Sequence, residues 1–326
     1  MSISQTCRKI IFMVWGTVLS GSLSGQSQLP ISKVLFEERD FQKAKIVLAA
    51  IPAGSPDYSE ALYYLGRIAV EEKQYDLSVQ KFEEAIEINP NIVEYHNWLG
   101  VMYGVVAMGT NPLRQAYLAP KIKNEFEKAA SIDPDNIQTQ WGLVNYYVKA
   151  PGFLGGSWEK ALASAKIISR LDKPQGMRAY AFVHAAQKKT DEAEREYKAA
   201  MQAEPANAEH VFALAQFYED QKKYDKAFVL YEGVIKSHPH NMVAAFHLGH
   251  ASARSGHQIE KGIICLNQYL AYRPKPNEPS HSEAQLSLAM IYEKKGDMLL
   301  AKKYYESSLV LHPGLKEARE GLERVN

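Results

Sequence analysis

"EALYYLGRIAVEEKQYDLSVQKFEEAIEINP", residues 60–90, lies without a gap over "EHVFALAQFYEDQKKYDKAFVLYEGVIKSHP", residues 209–239. Leu65 meets Leu214, Gly66 meets Ala215, Tyr75 meets Tyr224, Phe82 meets Tyr231 and Pro90 meets Pro239. A third copy, "EAQLSLAMIYEKKGDMLLAKKYYESSLVLHP" at 283–313, keeps the pattern with Leu288, Ala289, Tyr292, Ala301 and Tyr305. Prolines 90, 134, 205, 239, 274 and 313 stand 44, 71, 34, 35 and 39 residues apart. The spacing is one interval of about 34, or two of them, with small insertions.

Each copy reads as two amphipathic helices. Leu62, Leu65, Gly66 and Ala69 fall on one stripe of the first helix. The small residue of that helix (Gly66, Gly100, Ala181, Ala215, Gly249, Ala289) lets the second helix approach closely. An aromatic four residues after a small one, as in Ala227–Tyr231 and Ala301–Tyr305, fills the groove between them. Proline then ends the second helix, because it cannot continue the hydrogen-bond ladder. Such a hairpin cannot bury both its faces alone, so it must stack on its neighbours.

The order apolar, small, aromatic, small, aromatic, small, proline resembles the tetratricopeptide repeat family. The resemblance covers residues 30–326 and implies an all-α fold, an α-solenoid coiled as a right-handed superhelix of about eight helix-turn-helix units. The expected domain runs over 29–326, with repeats at 29–56, 59–92, 93–136, 137–173, 174–207, 208–241, 242–281 and 282–315. "LKEAREGLERV", 315–325, is expected to cap its end with a polar outer face. The long third repeat followed by "APGFLGG" is also similar to exported bacterial proteins of this family, a likeness that implies no defined activity.

Ahead of the repeats, Arg8 and Lys9 precede the apolar "IIFMVWGTVL" and the small, polar "SGSLSGQSQ". That order is that of a secretory signal, expected over 1–25 with cleavage near Ser24 or Gly25. The expected location is therefore periplasmic or secreted. A retained segment would instead be a membrane anchor, and membrane contact is expected only in that case. Its removal takes the formal net charge from +1 to about −1, so no bulk charge points to nucleic acid. Of the two cysteines, Cys7 leaves with the segment. Cys265 then has no intrachain partner and is expected to be a small buried side chain.

"PGFLGGSWEKALASA", 151–165, raises the question of a phosphate loop. Trp158 takes the place of Phe41, Tyr75 and Tyr224, so Pro151–Gly156 is expected to be a lengthened turn between two helices. Lys160 follows Gly156 by four positions, which does not meet the GxxxxGK[ST] spacing, and no strand precedes the loop. Positive φ and a cap at Ser157 account for the glycines. About ten extra residues in the third repeat, "VVAMGTNPLRQAYLAPK" at 105–121, are expected as a second lengthened turn on the same edge.

No catalytic motif stands out. His238, His240, His247, His250 and His257 cluster in sequence, and His247 and His250 could share a helix face, but HExxH and CxxC are absent. They are expected to be ordinary surface and groove histidines, with no metal and no cofactor. The repeats leave no stretch for a catalytic domain, so the chain is expected not to be an enzyme. Were it one, loss of activity on substituting Lys160, His247 or Cys265 would reveal it. The resemblance directs attention to the inner face made by the first helices. Candidate partner-binding residues there are Tyr63, Arg67, Asn97, Trp141, Asn145, Arg178, Phe212, Gln216, Phe246 and His250. Aromatics, amides and scattered charges suit an extended peptide or a partner helix. The expected function is a non-catalytic protein-protein interaction scaffold or adaptor. It would bind in the concave groove or along the edge with insertions 105–121 and 151–156. A self-associating structural module is the alternative.

Overall fold

A computed structural model describes residues 28–275 and 278–326; the expected signal segment lies outside them. Among the described residues all regular structure is helical. They fall into two compact units, one ending at Pro90 and one running from Asn91 to Asn326.

The first unit holds α1 (Leu29–Glu37), α2 (Phe41–Ala49), α3 (Tyr58–Glu71) and α4 (Tyr75–Ile88). Phe82 of α4 is fully buried, and a Cβ on Gly66 of α3 would lie 2.7 Å from its ring. The small-then-aromatic pattern is thus a steric fit between paired helices.

The second unit continues with α5 (Val93–Met108), α6 (Pro112–Ile132), α7 (Ile137–Lys149), α8 (Trp158–Leu171), α9 (Lys173–Ala186) and α10 (Thr190–Ala203). After these come α11 (Ala208–Asp220), α12 (Tyr224–Ser237), α13 (Met242–Ser255), α14 (Ile259–Leu270), α15 (His281–Lys295), α16 (Met298–Leu311) and α17 (Lys316–Val325). Each odd-numbered helix from α5 to α15 pairs with the next as a hairpin, and each hairpin's second helix packs on the first helix of the following one. Successive first helices also touch, whereas successive second helices do not pack along one another. The first helices therefore form the shorter, inner face of this unit.

Polar residues after the prolines start these helices. Asn136, Asn207 and Asn241 each accept a backbone N–H in the first turn of α7, α11 and α13. Ser280 and Glu283 form a reciprocal capping box on α15. Tyr231, Tyr269 and Tyr305 fill the spaces between helices and are fully buried. Tyr305 also seats α17, where a Cβ on Gly321 would come within 2.2 Å of its ring. Cys265 is buried, and burial pushes its thiol up from the ordinary value.

The turn inside most of the hairpins has a left-handed residue, the α5–α6 turn being the exception. Lys188 (φ 62°), Lys222 (φ 57°), Gly256 (φ 78°) and Gly296 (φ 78°) share that position in the second unit, as do Arg39 and Lys73 in the first. Only two of these six are glycine, the residue that adopts this conformation without strain.

The two insertions differ. Pro151–Gly156 is a turn, as its composition predicts: a short 3₁₀ segment over Gly152–Leu154, then Gly155 at φ 95°. Gly156 is there for space, since a Cβ on it would lie 1.8 Å from the Ala150 carbonyl oxygen. Residues 105–121, by contrast, are not a lengthened turn. Helix α5 runs on to Met108 and α6 begins at Pro112, so most of the insertion is helix. Asn111 caps α6, and Pro112 in its first turn lacks only an N–H that would have no helical partner. Pro120 is accommodated inside α6.

Candidate binding face

The glycine loop is closed on itself. The Leu154 and Gly156 N–H groups donate to the Pro151 carbonyl (2.9 and 3.1 Å), and Gly155 N–H donates to Gly152 (2.9 Å). Ser157 N–H reaches back to the Tyr147 carbonyl (3.0 Å), while the Ser157 hydroxyl accepts from Lys160 N–H (3.3 Å). These amides are engaged in the turn and do not converge on a ligand. Lys160 Nζ lies over the Tyr147 ring, 5.5 Å from its centroid.

The inner face of the second unit carries the other polar and aromatic side chains. Many of them link one first helix to the next. The Trp141 indole N–H donates to Gln175 (3.2 Å), and the Arg178 guanidinium lies 4.9 Å from the Trp141 ring centroid. Arg178 also pairs with Glu209 at 3.0 Å, extending the contact from α7 through α9 to α11. Phe212 of α11 meets His247 of α13 with ring centroids 4.9 Å apart, and His247 stacks on Tyr231 at 5.7 Å. His250 stacks on Phe246 and its Nδ1 is 3.1 Å from the Ser287 hydroxyl of α15. Asn145 and Gln216 bond within their own helices, to the Trp141 carbonyl and to Asp220.

Two sequence-predicted groove residues are withdrawn from solvent. Asn97 is buried because its Oδ1 accepts from the Thr139 hydroxyl (2.9 Å), joining α5 to α7. Phe246 is buried against Tyr269, with centroids 5.2 Å apart, in a core shared with α15. Neither presents its side chain to a partner. In the first unit, Arg67 donates to the Tyr63 hydroxyl (2.9 Å) and lies over the Phe36 ring. Both remain partly exposed.

Burial sets the protonation of this face. It pulls His247 down to about 4, with nearby His250 adding to the effect, and it lowers His250 as well. Glu219 is buried and pushed up by that burial, although Tyr231 donates to it (2.6 Å) and Arg254 pairs with it (3.2 Å). Among the described residues no three His, Cys, Asp or Glu side chains are grouped to hold a metal ion.

An open cleft of about 1220 Å³ lies at one end of the face. The start of α11 (Glu209, Phe212), the turn with His238 and His240, His247, residues ahead of α15 (Tyr272, Lys275, Glu278) and Glu283 in the first turn of α15 line it. On that side the Tyr272 hydroxyl donates to Glu278 (2.9 Å), and the Tyr269 hydroxyl donates to the Pro279 carbonyl (2.5 Å). The register of the first helices points to Phe212 but not to the loop residues. Their signal is the 39-residue step from Pro274 to Pro313, a repeat lengthened just before α15.

Serial hairpins with a side-chain-rich inner face define an α-solenoid interaction protein. Tetratricopeptide repeat models match residues 59–92, 183–241 and 282–311. These stretches of the chain are tetratricopeptide repeats, and such repeats indicate a protein-protein interaction scaffold. A tetratricopeptide repeat protein from Parabacteroides merdae ATCC 43184 aligns with a TM-score of 0.57 at 14% identity, over 92% of this chain and 99% of that one. At that identity the likeness speaks for the fold alone. A thermophilic repeat protein from Thermus thermophilus aligns with a TM-score of 0.46 at 20% identity, over 59% of this chain and 98% of its own. No curated protein matches the sequence.

Proposed function

We propose that this protein is a non-catalytic scaffold that holds an extended segment of a partner protein on the inner face of residues 91–326. The cleft beside Phe212 and His247 carries the reading. Its aromatic floor can take an apolar side chain, and Glu209, Glu278 and Glu283 outnumber Lys275 around it. A segment bearing Lys or Arg next to an apolar residue fits that balance. The surrounding helices are already fixed by contacts between hairpins, so little ordering entropy is lost on binding.

The N-terminal order of basic, apolar and small residues supports export to the cell envelope or beyond. Sequencing the mature N-terminus from cells tests that part: a start near residue 25 is expected, and an intact Met1 contradicts cleavage. For the cleft, a complex isolated from native envelopes should be stoichiometric with the wild type and lost with Phe212→Asp or Glu283→Lys. Equal recovery with both variants refutes the site. Concentration-dependent self-association with no second protein favours the structural-module alternative.

A further inference from the structure

The hairpin of α5 and α6 is longer than its neighbours. Helix α6 has 21 residues against 14 in α8, α10 and α12, which adds about 10 Å at 1.5 Å per residue. The repeat register puts the extra two turns at its start, before Pro120, so the tip projects on the edge where first helices turn into second helices. Met108, Leu113 and Tyr117 at this tip are 77%, 85% and 63% exposed. Leu113, Tyr117 and Lys121 follow one face at i, i+4 and i+8, and Lys121 Nζ lies 5.1 Å from both the Tyr103 and Tyr117 ring centroids.

The turn of the next hairpin contributes to the same edge. Its 3₁₀ segment packs against α6, and a Cβ on Gly155 would lie 3.5 Å from Lys123 Cδ. Phe153 on that segment is 86% exposed. The charge around these apolar groups is mainly positive, with exposed Glu159 beside Lys160 just past the turn. Residues 95–124 and 136–158 contain Arg114, Lys121, Lys123 and Lys149 and no Asp or Glu, in a chain whose total charge is nearly balanced. The nearby Glu127 accepts from the Tyr147 hydroxyl (3.0 Å) and lies 4.0 Å from Lys123.

We propose that this edge docks on an anionic lipid bilayer, with Met108, Leu113 and Phe153 entering the acyl boundary and the four cations meeting headgroup phosphates. Exposed apolar and aromatic tips flanked by Lys and Arg are the composition of an interfacial anchor. A second copy would bring like charges together across a two-fold contact, which disfavours self-pairing here. The tip is convex, so its apolar side chains gain more from a deformable acyl boundary than from a flat acidic protein surface. This contact is independent of both the inner-face cleft and the N-terminal apolar run.

Full-length wild type and variants are compared by co-sedimentation with vesicles of phosphatidylcholine alone and of phosphatidylcholine with phosphatidylglycerol. Because the N-terminal run is present in every sample, the readout is the difference between chains. Arg114→Gln/Lys149→Gln should lower partitioning to the anionic vesicles by about 25-fold, at roughly fivefold per cation. Leu113→Asp/Phe153→Asp should lower it further, and added salt should weaken wild-type binding. Circular dichroism checks that the exposed substitutions leave the helices intact, and the Gln pair serves alone if the Asp pair does not fold. Equal partitioning of wild type and folded variants, or equal wild-type binding to neutral vesicles, overturns the proposal. So does capture of an acidic protein through Arg114 and Lys149 with no vesicle binding.

Discussion

The same substitution at two glycines should move stability in opposite directions. Gly233 lies inside α12 with nothing within 4 Å of an added Cβ. Gly249 lies inside α13, where a Cβ would be 2.3 Å from Leu266 Cγ and 3.0 Å from the Gly262 carbonyl oxygen. Helix propensity favours alanine over glycine by about 1 kcal/mol at either position. At Gly233 that is the whole effect, so Gly233→Ala should stabilise by roughly 0.5–1 kcal/mol. At Gly249 the intruding methyl meets the branch point of a fully buried leucine, which cannot swing aside as a chain end would. Overpacking of this kind costs about 1–3 kcal/mol, so after the propensity gain of about 1 kcal/mol Gly249→Ala should destabilise by up to about 2 kcal/mol. Thermal unfolding followed by far-UV circular dichroism reads both, at about 2–4 °C per kcal/mol for a unit of this size. A stabilised Gly249→Ala protein would show that α14 does not approach α13 as described, and the steric reading of the small position would fail.

Lys222 holds a left-handed conformation that costs an L-residue about 1–2 kcal/mol, so Lys222→Gly should raise the melting temperature despite the looser unfolded chain. A lowered melting temperature would mean that the turn is not strained. Acid should weaken the inner face. His247 titrates near 4 when folded and near 6.5 when unfolded, so between those values the unfolded chain binds more protons. The His247 contribution is complete above about pH 6.5 and is lost as pH falls toward 4, on the order of 3 kcal/mol, with His250 acting in the same direction. The raised carboxyl of Glu219 works oppositely, costing stability as pH rises through its folded value. His247→Phe keeps a ring between Phe212 and Tyr231 and should flatten the acid limb in urea titrations across this range. An unchanged limb would refute the assignment.

The sequence carries the hairpins plainly, because a small residue facing an aromatic one is a steric requirement that recurs with the repeat. Gly66 against Phe82 and Gly100 against Phe126 are that requirement in contact form, and at Gly249 a leucine, Leu266, takes the place of the aromatic. The left-handed turns were hidden because Lys73, Lys188 and Lys222 occupy positions where glycine would have announced them. The extension of α6 was hidden by Pro120, whose missing N–H argues for a break where the helix continues. On the inner face, register gives a position but not the partner a side chain finds. Phe212 and Phe246 are equivalent in register. Phe212 borders the cleft, while Phe246 is buried against Tyr269 of α14 in a core shared with α15. The cleft's second wall comes from the residues ahead of α15, and no helical periodicity marks them.

Stability in a stack of this kind resides between consecutive hairpins instead of in one shared core. Leu214, buried among α10, α11, α12 and α13, is the place to test it. Leu214→Ala should cost about 2–5 kcal/mol, and native-state hydrogen exchange should report where. Faster exchange is expected in 190–255, with little change in 137–171 or 298–325. Uniform acceleration across residues 91–326 would contradict it.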